Sequence, residues 1–206
     1  MIENQFRFDD TPERRFCDVD ISRLADGQAD VISGLAAVFF DGTERTEFEL
    51  WKGAKERLMP QAFDRALAED DVVALFNHDK SQILGRKSAG TLALAKDQAG
   101  LRYKINIGDN DVARRVADYI RRREVRGSSF TFKVTDQEWI RGKTFDIRLV
   151  KGVRLVDVGP ATFPAYLATT AEAAGYDRNL ASAAQSHAHW IAELNARRMR
   201  AAKVLA

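Results

Sequence analysis

The chain has 206 residues, 45% of them hydrophobic and 30% charged, with a formal net charge of +2. That supports a substantial core, excludes disorder throughout, and suits one domain with extensions or two small ones. The near-balance of charge argues for neither a nucleic-acid nor a membrane partner, and Cys17, the single cysteine, rules out an intramolecular disulfide and suits a reducing cytosol.

Residues 1–30 are polar and punctuated by acids from Asp9 to Asp30, which reads as an N-terminal leader or edge segment. Met1 to Phe6 shows neither the basic nor the apolar region of a secretory signal. Val31 to Phe40 reads as a buried strand, stopped by the turn signal Asp41-Gly42. Its apolar stretch, Leu35 to Phe40, is too short to span a bilayer. Glu47 to Trp51 suggests another short strand. Pro60 opens a helix where its missing N–H costs little, and Phe63, Ala66 and Leu67 give that helix an apolar stripe.

Val72 to Phe76 is a continuous apolar run and predicts a central strand. It leads directly into Asn77-His78-Asp79. Counted by twos, His78 falls on the face of Val72, Ala74 and Phe76. Thr91–Ala95 and Leu101–Ile107 make a hairpin around the turn Lys96 to Gly100. Asp109-Asn110-Asp111 then caps a helix whose apolar stripe is Val112, Val116, Tyr119 and Ile120. Arg121, Arg122 and Arg123 close it at the negative end of its dipole, the ordinary place for a solvated basic cluster.

Arg126 to Val134 alternates as a strand. Ser128, Phe130, Phe132 and Val134 share one face, while Ser129, Thr131 and Lys133 share the other. Thr144–Val150 and Val153–Val158 are strand-like. Simple alternation puts Asp157 on the face of Val153 and Leu155, and a carboxylate there calls for a partner. Gly159-Pro160 and Pro164 break the regular structure. From Ala171 the composition turns to Ala, Ser and Arg with helical character. The stripe Leu180, Ala184, His187, Trp190 and Ile191 runs at helical spacing.

Three side chains on or beside strands have complementary chemistry. A serine hydroxyl attacks a carbonyl well only when a base takes its proton, and histidine titrates in the right range. A third group should fix the ring tautomer and stabilise the imidazolium. His78, Ser129 and Asp157 supply these types, with Asp79 as a second candidate for the acid. Their chain order is no obstacle, since triads are recognised by geometry. His187 and His189 stand two apart and do not share a helix face, so they suggest no metal site. No phosphate-binding or dinucleotide fingerprint is present, and no cofactor is implied.

These stretches resemble the prohead (capsid maturation) serine proteases of tailed phages, a family related in fold to the herpesvirus assemblin proteases. The resemblance runs over residues 31–168. It is carried by Ile32-Ser33-Gly34, Leu75-Phe76-Asn77-His78-Asp79, Leu84-Gly85-Arg86, Gly90-Thr91-Leu92, Arg126-Gly127-Ser128-Ser129-Phe130-Thr131-Phe132 and Thr162-Phe163-Pro164-Ala165-Tyr166. It implies His78 as the base and Ser129, not Ser128, as the nucleophile. The family commonly has Glu-Val-Ser where this chain has Asp157-Val158-Gly159-Pro160, so Asp157 takes the acid's place with a shorter side chain.

The fold expected on this basis is α+β: a mostly antiparallel, barrel-like sheet with flanking helices, assemblin-like. Residues 1–30 would form the leader or edge segment, 31–168 the catalytic domain and 169–206 a helical tail. The expected function is a serine endopeptidase acting on scaffold and major capsid protein, and on itself, inside proheads assembling in the bacterial cytoplasm. A homo-oligomer is compatible with this, and nucleic acid and membrane are not among the expected partners. The competing expectation is a catalytically degenerate member that serves as a non-enzymatic assembly or scaffolding factor.

Overall fold

The computed structural model describes residues 11–17 and 31–162, all within one unit, Met1–Pro164. The predicted tail, with His187 and His189, lies outside the described residues.

In chain order the strands are β1 (Glu13–Cys17), β2 (Val31–Val38), β3 (Phe48–Trp51), β4 (Ala54–Leu58), β5 (Val73–Leu75), β6 (Ile83–Arg86), β7 (Leu92–Lys96), β8 (Gly100–Asn106), β9 (Gly127–Ile140) and β10 (Asp146–Ala161). A short 3-10 turn, Pro60–Phe63, leads into helix α1 (Asp64–Glu69), and helix α2 spans Asp111–Arg121. Helix α2 starts where its cap residue predicts: the Asn110 side chain accepts the Ala113 N–H at 3.0 Å. Strand β8 buries Leu101, Tyr103 and Ile105 and exposes Arg102, Lys104 and Asn106, the alternation of a half-buried strand.

The strands form two sheets. β2, β8 and β7 make an antiparallel sheet, in that order. The larger one runs β1-β9-β10-β4-β3, with β5 paired to β10 and β6 paired to β5. The expected barrel-like, mostly antiparallel sheet is therefore corrected. The described fold is mostly β, its larger sheet is mixed, and no closed barrel forms among the described residues.

The reason lies in β10. It pairs antiparallel with β9 along one edge, but its other edge is divided. β4 lies parallel to Asp146–Val150, and β5 lies parallel to Asp157–Val158. The 3-10 turn and α1 carry the chain from one to the other. In the gap between them the Asp70 carboxylate accepts the Leu155 N–H at 2.7 Å, so that donor is not left unpaired. A sheet that forks in this way does not close on itself. Gly159-Pro160 does not break β10 either. Pro160 still accepts a hydrogen bond from Asn77 N–H at 3.1 Å, on the side where β5 has already ended. Its missing N–H points to that same side and costs the ladder nothing.

The aromatic face of β9 builds the core. Phe130 and Phe132 stack with ring centroids 4.9 Å apart, and Phe63 meets Phe130 edge-on at 5.8 Å. All three are fully buried. Side chains of this size stabilise by about 1.5–3 kcal/mol each. Ser128 shares this face, where its hydroxyl lies 2.9 Å from the buried Tyr103 hydroxyl of the smaller sheet. This layer fixes β9 so that its other face presents Ser129.

Candidate active site

The chain leaves β5 after Leu75 and does not continue as a strand. Asn77 and His78 both sit in the left-handed region, with φ of 55° and 58°. Two such residues in succession are unfavourable, although asparagine tolerates the region better than most. The turn is tied down instead. Asn77 Oδ1 accepts the Thr162 N–H at 2.8 Å, and Asn77 Nδ2 donates to Thr162 Oγ1 at 3.0 Å. Asp79 Oδ1 accepts both the Ser81 N–H at 2.8 Å and the Ser81 hydroxyl at 2.7 Å. The expectation that His78 continues the face of Val72, Ala74 and Phe76 thus fails, because alternation stops at Leu75. The left-handed turn aims the imidazole back at the sheet.

Among the described residues that ring meets Asp157, Thr131 and Ser129. His78 Nδ1 lies 2.5 Å from Asp157 Oδ1 and 3.1 Å from Thr131 Oγ1. His78 Nε2 is hydrogen-bonded to Ser129 Oγ. An ionised carboxylate only accepts, so the Asp157 contact assigns the proton to Nδ1. Nε2 is left as an acceptor for the serine hydroxyl. The His78 and Asp157 side chains are 5% and 7% exposed, and Ser129 as a whole is 1% exposed. Asp79 is not at the ring; it closes an exposed turn with Ser81, whose hydrogen bonds hold its carboxyl below the usual range.

A bulge brings Asp157 to this face. Leu155 pairs with Phe132, but Asp157 pairs with Thr131, with a register shift between them. Val156 is the extra residue, so Asp157 is turned to the face opposite Leu155. Strict alternation had placed the two together. Thr131 was not singled out from sequence, although its spacing of two from Ser129 was the available signal. No group of three His, Cys, Asp or Glu side chains able to hold a metal occurs among the described residues.

Gly159 sets how closely β5 can approach. It pairs with Ser129 across the ladder, and a Cβ placed on it would stand 2.1 Å from the Leu75 carbonyl oxygen. Gly159→Ala must push β5, and the His78 turn that follows it, away from β10. We expect a loss of about 1–3 kcal/mol in stability, the usual cost of overpacking. Thermal or denaturant unfolding would measure it, and unchanged stability would contradict this account.

A second polar cluster lies beside the triplet, on the other side of β9. Arg15 donates from Nε to Glu56 Oε1 at 2.7 Å and from an Nη to Glu56 Oε2 at 2.9 Å. Arg148 donates to both carboxylate oxygens of Glu13 at 2.8 Å, and to Glu56 at 2.9 Å. Glu56 is fully buried. Burial pushes the Glu13 carboxyl up, but hydrogen bonds and charge from Arg148 and Arg15 outweigh it and hold the group below the usual range. Sequence reading missed this cluster; its one visible sign was Glu56 between Ala54 and Leu58 on a buried strand face.

A serine hydroxyl on one nitrogen of an imidazole, with a carboxylate on the other, is the arrangement of a serine hydrolase. Residues 17–183 match the family of the caudovirus prohead serine protease, and the chain belongs to that family. This makes it a member of a serine protease family of capsid maturation, acting in assembling phage proheads within the host. Comparison with curated proteins and with solved structures gives no match.

Proposed function

We propose that the chain is an active serine endopeptidase with Ser129 as nucleophile, His78 as general base and Asp157 as the orienting acid. Its substrates on this reading are the scaffold segment and the major capsid protein of its own phage, and the chain itself. The observation that carries the reading is the single imidazole bridging Ser129 and Asp157 through its two nitrogens.

Attack by Ser129 Oγ on a peptide carbonyl transfers the hydroxyl proton to His78 Nε2. Asp157 stabilises the imidazolium that forms, and the ring then protonates the leaving amine. Water enters and the same base activates it, releasing the acyl group. Thr131 Oγ1 gives the Nδ1 proton a second acceptor and limits rotation of the ring. On the same reading, residues 31–168 are the catalytic domain, 1–30 lend it an edge strand, and the tail 169–206 carries the protease to scaffold or capsid protein.

The alternative of a degenerate, non-enzymatic member draws support only from the shorter acid and the Gly159-Pro160 departure. Against it stand the bulge at Val156, which turns Asp157 toward His78, and the close approach of Gly159 to Leu75. The test is co-expression with the chain's own capsid protein. The native chain should shorten that protein and react with a serine-directed phosphonate, whereas Ser129→Ala should do neither. Equal shortening by both would overturn the assignment.

A further inference from the structure

Strand β1 lies at the edge of the larger sheet and pairs with β9 alone among the described strands. It runs antiparallel to the serine strand, with Glu13 opposite Phe132, Arg15 opposite Phe130 and Phe16 opposite Ser129. The Ser129 hydroxyl donates to the Arg15 carbonyl oxygen at 2.9 Å. A hydroxyl has one proton, so this carbonyl competes with His78 Nε2 for it. An extended segment therefore lies along the serine strand with a main-chain carbonyl against the serine hydroxyl. Adding a strand to a sheet edge is a common mode of peptide recognition, in which main-chain pairing gives affinity and alternate side chains give specificity.

The side chains of β1 fit this role. Glu13 and Arg15, two apart, point to the same side and are both read by charged groups of the domain. Glu56 grips the Arg15 guanidinium through both oxygens, and Arg148 grips the Glu13 carboxylate through two nitrogens. Such paired geometry selects arginine and carboxylate over other side chains. Glu56 and Arg148 also bond each other at 2.9 Å, so neither is left as an unpaired buried charge when β1 departs. The family match begins at Cys17, so Glu13 to Phe16 lie outside it.

We propose that β1 is a substrate segment bound in cis, and that Glu56 and Arg148 are the specificity-determining pair for extended peptides of the form acid-x-arginine, cleaved after the arginine. This rests on the protease reading above and names its substrate class. The chain's own instance is the Arg15–Phe16 bond. Ser129 Oγ adds to the Arg15 carbonyl carbon, and the bond to the Phe16 nitrogen breaks. The serine proton passes through His78 to that amine. Water then hydrolyses the ester, leaving residues 1–15 with a new carboxylate and Phe16 as a new N-terminus. Until the cut segment leaves, β1 covers Ser129 and excludes other substrates.

The experiment uses the full chain in two parts. Intact mass and N-terminal sequencing follow the native protein and Ser129→Ala after purification. Quenched peptides carrying Glu-Arg-Arg-Phe, Ala-Arg-Arg-Phe and Glu-Arg-Ala-Phe are then supplied in trans to the processed enzyme. Native protein should acquire an N-terminus at Phe16, and Ser129→Ala should keep residues 1–15. Replacing the arginine before Phe should cut kcat/KM on the order of 10²-fold, and replacing the acid about 10-fold, as expected for losing one side of a buried charge pair. Glu56→Gln should bring the arginine and alanine peptides to nearly equal rates. Should that variant fail to fold, the peptide series on native enzyme decides alone. A chain that shortens its capsid protein yet keeps residues 1–15, or ignores the arginine, overturns the proposal and leaves the protease reading standing. A chain that cleaves nothing, capsid protein included, overturns both.

Discussion

Ser129→Ala and His78→Ala should each abolish cleavage, with a loss on the order of 10⁶ in kcat, and the double variant should be no worse than either single one. On the proposed mechanism the two groups act as one unit. Without the serine there is no nucleophile, and without the imidazole the hydroxyl keeps its proton. Both variants should fold. Ser129→Ala removes a single hydroxyl, and His78 keeps its contacts to Asp157 and Thr131. His78→Ala removes one side chain from a turn that is held through Asn77, Asp79 and Ser81. Ser128→Ala is the internal control for the strand face. Its hydroxyl faces Tyr103, away from the imidazole, so cleavage should persist while stability drops by about 1–3 kcal/mol for the stranded phenol. Turnover of the capsid protein, with circular dichroism for the fold, separates these outcomes. Robust cleavage by Ser129→Ala would remove it from the mechanism.

What could be read in the sequence was what is local. The hairpin of β7 and β8 follows from alternation around a glycine-bearing turn. Helix α2 begins at the asparagine that caps it, and of its predicted stripe Val116 and Ile120 are buried, while Ala113 and Ala117 complete the buried face in place of Val112 and Tyr119. The two faces of β9 follow from its period of two, and that alone separates Ser129 from Ser128. The parts that escaped depend on pairings far apart in the chain. Nothing near residues 54–58 or 73–75 announces that both strands will lie parallel on one edge of β10, so a closed antiparallel barrel was the natural and incorrect extrapolation. The left-handed pair Asn77-His78 is stabilised by Thr162, eighty-five positions away. The pairing of β1 with the serine strand was equally hidden, since the apolar content of β1 is low. Arg15 is buried there because Glu56 is, and each makes sense only in the presence of the other.

Asp157→Asn should lower turnover on the order of 10⁴, with the fold unchanged. The amide keeps the size of the carboxylate but cannot stabilise the imidazolium. It can also present an N–H to Nδ1, which favours the tautomer with the proton on Nε2, where it blocks the serine. Asp79→Asn, by contrast, should change turnover by no more than a few fold, because an asparagine oxygen accepts from Ser81 equally well and the turn is exposed. The pair tests the bulge directly. If alternation continued unbroken through Val156, Asp157 would lie on the Leu155 side, away from His78, and Asp157→Asn would act on stability and not on turnover. Asp157→Glu adds a further arm. The ring already lies 2.5 Å from Asp157 Oδ1, and the close approach of β5 at Gly159 leaves little room for another methylene. The longer acid should therefore displace the imidazole from Ser129 and lose activity, even though glutamate is the acid that its resemblance to the family leads one to expect. Full activity in Asp157→Glu would show that the His78 turn moves more freely than its ties to Thr162 and Pro160 imply.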